Sequence, residues 1–487
     1  MLDIQKWKGN PWLVLTILSF GFFMTQLDLQ IVNIAIPNLM ETLHASINEA
    51  LWVLNIYILV LAVFLITAGR FGDLFGIRQL FSIGIVLFTI SSLLCGLSTS
   101  PLELIVFRAI EGLGAALLLP QTMTFIIRLF PSERRGTALG IWGMVGGVAA
   151  VAGPSLGGFI VSVLGWRWIF YINVPIGVLI FIFTYLFVPE IRNSAKQQLD
   201  LMGVLLVSLS CLFLTYGLIE GQHFKWSMYI VGILIISVVI FIIFYVQQKL
   251  RHKRDPLIPF ALFEDRNYTL MNVVGVFFSI GVLGLMLLLS IYFQSILGYD
   301  AFRAGLTLVP ASLISMCVSP FAGKFSNKIG GKYLVLAGLA LTLIGMIWVI
   351  FIMNGHNYWV QFMLSMVITG FGNGLLISPT AAVAVKEVKD EVAGAASGVM
   401  NTVRQLGTVG GSAAVGALLQ NRISAMNHGS EFESVFDIST KFGGHLSGYL
   451  TALRESLLLP MAAIALACIA CAFVRKNAKR LSTNEIK

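Results

Sequence analysis

Asp28 and, three residues apart, Arg108 and Glu111 are ionisable side chains inside runs apolar enough to lie at bilayer depth. An acidic residue at the centre of a membrane-spanning helix costs about 2.5–3.5 kcal/mol on insertion scales, so one that is kept there normally does a job. A carboxylate in that position is one for which a proton and an organic cation can compete, which is the chemistry of exchange. The bland alternative is a structural Asp28 held by Asn33 or by a neighbouring helix. Arg108 and Glu111 share a helix face and can pair. Paired, Glu111 is a counter-ion; unpaired, it is a second protonatable group beside Asp28. Arg404 is another intramembrane arginine, amid Gly394, Gly398, Gly407, Gly410 and Gly411. It stays open between lining a cavity, a relay in the second half, and packing. None of the six His falls at mid-span, and no metal site is expected. Cys468 and Cys471 form a C-x-x-C at lipid depth with no His nearby, which reads as packing.

The elements that must hold these residues are membrane helices. Of the 487 residues 57% are hydrophobic and only 11% are charged, where soluble domains carry about 25%. A soluble enzyme and a disordered chain are both excluded. Apolar runs recur at 12–37, 50–69, 80–98, 102–127, 137–160, 169–189, 200–219, 227–246, 269–293, 304–322, 333–353, 359–383, 395–420 and 455–474. Each is long enough to cross a ~30 Å hydrocarbon core. The N-terminal run, after Lys6 and Lys8, shows no cleavage site and reads as an uncleaved first helix. With fourteen spans, 24 of the 32 Lys and Arg fall in loops on the side of the termini and six in loops on the other side. This bias places both termini in the cytoplasm and accounts for the net charge of +9 without nucleic acid.

The chain repeats internally. Gly69-x-x-x-Asp73-x-x-Gly76-x-Arg78 recurs 254 residues later as Gly323-x-x-x-Asn327-x-x-Gly330-x-Lys332. Gly112 and Gly114, Gly136 and Gly140, and Gly153 recur 258 residues later as Gly370, Gly372, Gly394, Gly398 and Gly411. The repeat equates spans one to six with nine to fourteen, leaving seven and eight as an inserted hairpin. Two parallel bundles rocking about a shared site is a transporter plan.

The 69–78 turn resembles the motif shared by major facilitator superfamily transporters, which implies that Gly69, Asp73, Gly76 and Arg78 latch the halves in one access state. Arg78 can also anchor at the anionic inner leaflet. Asn327 lacks the charge of Asp73. Gly153-Pro154-Ser155-Leu156-Gly157-Gly158 is similar to the element that marks antiporting exporters, and Pro154 favours a bend. Arg108-Ala109-Ile110-Glu111-Gly112-Leu113-Gly114 resembles R-x-x-Q-G-x-G, whose Arg is implicated in proton transfer, with Glu111 in place of Gln. Leu27 to Pro37 resembles L-D-x-T-I-V-N-V-A-L-P, with Gln30 where Thr is usual. Together with Trp166-Arg167-Trp168-Ile169-Phe170 and Asn173-Val174-Pro175-Ile176-Gly177, it matches the fourteen-helix drug:proton antiporters of the EmrB/QacA type over essentially the whole chain.

The expectation is therefore an all-α integral membrane protein of fourteen helices arranged 6+2+6. Residues 1–199 form a six-helix bundle, 200–268 a hairpin and linker, and 269–487 the second bundle. The resemblance implies a secondary active transporter in the cytoplasmic membrane that exports lipophilic, cationic drugs against protons. The proton is the coupling ion and no cofactor is expected. Asp28 would bind substrate or proton in the central cavity, with Asn33, Arg108, Glu111 and Arg404 as coupling residues. Export of an endogenous lipid or metabolite, or proton-driven import, are the alternatives. The outer segment 421–453 reads as a linker, or else as a cap or a contact for an extracytoplasmic adaptor; the other partners are the bilayer and small lipophilic substrates.

Overall fold

The structure, a computed structural model, describes residues 7–191, 199–250, 256–299, 301–354, 359–426 and 446–475. Regular structure among them is helical. In the first half run α1 (Pro11–Leu43), α2 (Ile47–Phe75), α3 (Ile77–Leu97), α4 (Pro101–Leu129), α5 (Ser132–Leu164) and α6 (Asn173–Phe187). A hairpin of α7 (Leu201–Glu220) and α8 (Met228–Leu250) follows. The second half holds α9 (Arg266–Ile291), α10 (Ala301–Phe325), α11 (Gly331–Ile352), α12 (Val360–Ala384), α13 (Ala393–Met426) and α14 (Leu458–Ala472). Among the described residues twelve helices are long and apolar enough to cross a membrane. Outside those twelve, α4 and α13 are as long and pack among them; they carry Arg108 with Glu111, and Arg404.

Local chemistry sets the helix starts. The Asn10 side chain accepts from the Trp12 and Leu13 amides ahead of Pro11, and Ser46 closes a capping box with Glu49 on α2. Gly76 and Gly330 turn the chain into α3 and α11 at φ of 106° and 100°. An L side chain rarely adopts that conformation, so the repeat needs glycine at both. On α8, Ile235, Val239, Ile242 and Val246 are exposed, an apolar face suited to lipid rather than water.

Helix pairing repeats with an offset of eight. In the first half α1 packs on α4, α5 and α6, α4 packs on α2 and α3, and α3 on α6. In the second, α9 packs on α12, α13 and α14, α12 on α10 and α11, and α11 on α14. The halves meet through α2 with α13 and α5 with α10, one contact being the repeat of the other. At the first, a Cβ on Gly69 would meet the Gly394 carbonyl; at the second, a Cβ on Gly323 would meet that of Gly136. These four glycines are two pairs of repeat equivalents, and at them the backbones of opposite halves touch, whereas Gly112, Gly114, Gly370 and Gly372 make close approaches within their own halves. The hairpin lies against this seam, α7 contacting both α2 and α13.

Residues 427–445 of the segment 421–453, with Phe432, Phe436 and Phe442, lie outside the described residues, as do Arg251, Lys253 and Arg254. Tyr449 sits in a short helix, Leu446–Ser456, and is buried.

Candidate functional site

Arg108 gathers both carboxylates. Its Nη1 donates to Asp28 Oδ2 at 2.5 Å and to Glu111 Oε2 at 2.8 Å, and its Nε donates to the Val53 carbonyl at 3.2 Å. None of the three side chains has any solvent exposure. The guanidinium carbon stands 4.3 Å from the centre of the Tyr57 ring, a cation–π contact that covers one face of the charge. Cys95 Sγ donates to Glu111 Oε2 at 3.5 Å. Arg108 engages one oxygen of each carboxylate, and Asn173 and Ser92 are further side-chain hydrogen-bond neighbours of Asp28 and Glu111. The oxygens that Arg108 leaves are where a proton can add.

A cavity of about 540 Å³ lies between the halves, bordered by α1, α2, α4, α5, α9, α10, α12 and α13. Asp28 does not line it, which corrects the expectation that Asp28 meets cargo there. The reason is helical phase. Phe22, Gln26, Leu29 and Gln30 recur at i, i+4, i+7 and i+8 and face the cavity, whereas Asp28 falls on the opposite side of α1. Arg108 then draws it inward. Asn33 is likewise misplaced by sequence reasoning: it is exposed and donates to the Leu29 carbonyl of its own helix at 3.0 Å. Five residues turn it well away from Asp28 on the helix.

Arg404 is the charged residue among those lining the cavity, in the company of Gln30, Asn373, Asn401 and Gln405. Phe22 and Trp142 stack at 4.2 Å on the wall contributed by α1 and α5. The sequence reading missed these amide and aromatic groups. Their signal was present as Gln26 and Gln30 four apart, and Asn401, Arg404 and Gln405 on one helical face.

The glycines of α5 divide their work. Gly143 and Gly147 face Ser319 and Met316 of α10, while Gly153 and Gly157 face Gln30 and Ile31 of α1. Gly158 is half-buried, and α5 runs as one helix through residues 153–158, Pro154 included. The halves accordingly touch along the part of α5 that begins near residue 136 and separate beyond it, where the cavity opens.

At the touching end Asp73 crosses between halves. Its Oδ1 accepts from the Gly394 amide at 3.1 Å and its Oδ2 from the Ala395 amide at 3.0 Å, at the start of α13. Arg128 Nη2 stands 2.8 Å from Oδ1. A carboxylate on orphan amides at a helix N-terminus is favoured by hydrogen bonding and by the helix dipole. The Asn327 side chain of the second copy lies outside the described residues. Arg78 is turned to a task other than the expected lipid anchor: Nη1 donates to the Val188 carbonyl at 3.3 Å and Nε lies 3.4 Å from Glu190. Its repeat equivalent Lys332 donates to the Ala472 and Val474 carbonyls at 2.6 and 2.8 Å. In both halves the basic residue satisfies the free carbonyls at the end of the sixth helix, closer at hand than a lipid headgroup.

Residues 18–412 match the Major Facilitator Superfamily. The chain is 33% identical to the multidrug resistance protein Stp of Mycobacterium tuberculosis over 416 residues, 85% of this chain and 76% of that one. It is 31% identical to the tetracenomycin C resistance and export protein of Streptomyces glaucescens over 418 residues, 85% and 77% of the two chains. The fold is similar to that of the human organic anion transporter MFSD10, with a TM-score of 0.66 at 13% identity over 93% of this chain and 99% of that one. Two halves related by helix pairing, a cavity between them and this match together place the chain in the major facilitator superfamily, as a multi-pass transporter of the cell membrane.

Proposed function

We propose that this transporter is a proton-driven exporter of lipophilic, drug-like compounds, of the fourteen-helix EmrB/QacA type, with both termini cytoplasmic. The observation that carries the reading is a sealed carboxylate–guanidinium cluster standing apart from a large cavity that is shut at one end. The names of the relatives, resistance and export, support the direction and the cargo class. One guanidinium faces two carboxylates, so the cluster is left with one surplus negative charge until a proton joins it; an uncompensated charge at that depth is costly. α1 carries Asp28 on one face and cavity residues on the other, and so can convey the loss or gain of that proton to the cargo site. Under this reading residues 1–199 and 269–487 are the rocking bundles and 200–268 is an insert. The proton is the coupling ion, and the outer segment 421–453 is where an extracytoplasmic adaptor would meet the protein.

The test is proton release from energised inverted vesicles on adding a panel of drugs, with an endogenous-type lipid and a metabolite extract as further arms. Drug-dependent collapse of the pH gradient that is lost with Asp28→Asn is expected. A response to the lipid or metabolite alone would keep the exporter and discard the drug cargo. Accumulation inside right-side-out cells would reverse the direction.

A further inference from the structure

We propose that Arg404 is the anion-recognising group of the cavity, and that the preferred cargo is a lipophilic acid rather than an organic cation. The proposal rests on the exporter reading and names the substrate class of the same site. Arg404 borders both the 540 Å³ cavity and an adjoining cleft of about 60 Å³. Among the residues lining the two there is no carboxylate. Asp28, which the sequence offered as the partner for a cation, is spent together with Glu111 on Arg108 behind the wall. Among the described residues no ion pair to Arg404 is made, and the cavity leaves its side chain exposed at the centre of the bundle.

A guanidinium alone at bilayer depth is costly, and an incoming carboxylate relieves that cost with two parallel hydrogen bonds that match the planar fork. An organic cation entering the same space meets a like charge with no acid to offset it. The rest of the lining suits the remainder of such a ligand. The stacked Phe22 and Trp142 offer an apolar, aromatic wall, and Asn401 and Gln405 flank the arginine with amides. The volume is that of a site for drug-sized ligands.

Three probes of one shape separate charge from bulk: 1-naphthylacetate, 1-naphthylacetamide and 1-naphthylmethylammonium. Equilibrium binding of each is measured to the full-length transporter in nanodiscs, for wild type, Arg404→Lys and Arg404→Gln. The acetate should bind at least about tenfold more tightly than the ammonium, the scale of one charge-assisted hydrogen bond. Arg404→Gln should lose about that factor for the acetate while binding the amide within about twofold of wild type, which also reports that the variant is folded. Arg404→Lys should keep the order of preference. Equal weakening of all three probes by Arg404→Gln, preference for the ammonium, or no binding of the acetate overturns the proposal. Transport in proteoliposomes under a pH gradient is scored separately. Binding in the expected order without movement of any probe sinks the exporter reading and leaves the anion site. Movement of all three without regard to charge does the reverse.

Discussion

A guanidinium that holds two carboxylates in a sealed interior has no substitute nearby, and this fixes what single changes should do. Arg108→Met would leave Asp28 and Glu111 buried without a cation, a change that costs about 3–5 kcal/mol in buried ion pairs. A large fall in the thermal unfolding midpoint in detergent is expected. Glu111→Gln instead leaves Asp28 and Arg108 as a neutral pair. Its midpoint and its cargo binding should stay near wild type, while cargo-driven proton release in inverted vesicles falls to background. Unchanged proton release from Glu111→Gln would move the proton to another site. The residues of this cluster were legible from their types alone, because charge at bilayer depth is rare. That Asp28 turns away from the cargo space was not, since α1 has two polar faces and only the neighbouring helices decide which one meets the cavity.

Helices α2 and α13 touch backbone to backbone, and the contact leaves no room for a methyl group. Gly69→Ala puts a Cβ against the Gly394 carbonyl, so the two helices must part at that end. Spin labels at Phe75 and Lys389, both exposed, should report a longer distance in Gly69→Ala than in wild type. An unchanged distance distribution would mean that the seam is held elsewhere. The Asp73 bonds to the Gly394 and Ala395 amides hold the same seam, at the start of α13. The turn itself was readable as a motif, and the glycine offset as a repeat. Arg128, which completes the Asp73 contact, carried no signal, because its distance from Asp73 in sequence says nothing of their 2.8 Å approach.

At the scale of the whole molecule the two halves are joined at one end by paired contacts that repeat across the seam, and are apart around the cavity. Rocking requires that this end open. Thr124 Oγ1 and Ser397 Oγ, on α4 and α13, lie 3.3 Å apart and buried within it. A Thr124→Cys/Ser397→Cys pair is close enough to oxidise. Once oxidised it should stop transport while leaving cargo binding intact, and a thiol reductant should restore transport. Full transport in the oxidised state would show that the halves need not separate there.

By itself the sequence determined the class of protein, the helices and the kinship of the halves. Apolar run length, capping residues and the spacing of glycines are local properties, each with its own physical cost. The 254- and 258-residue offsets foretold which helices correspond, and the structure shows the same correspondence in their packing. Only the tertiary structure decided which charges are spent and which are free. Asp28 and Glu111 share the single cation of Arg108 because α1 and α4 bring the three within 3 Å. Arg404, equally rare in type, faces open space because the residues that line the cavity beside it include no acid.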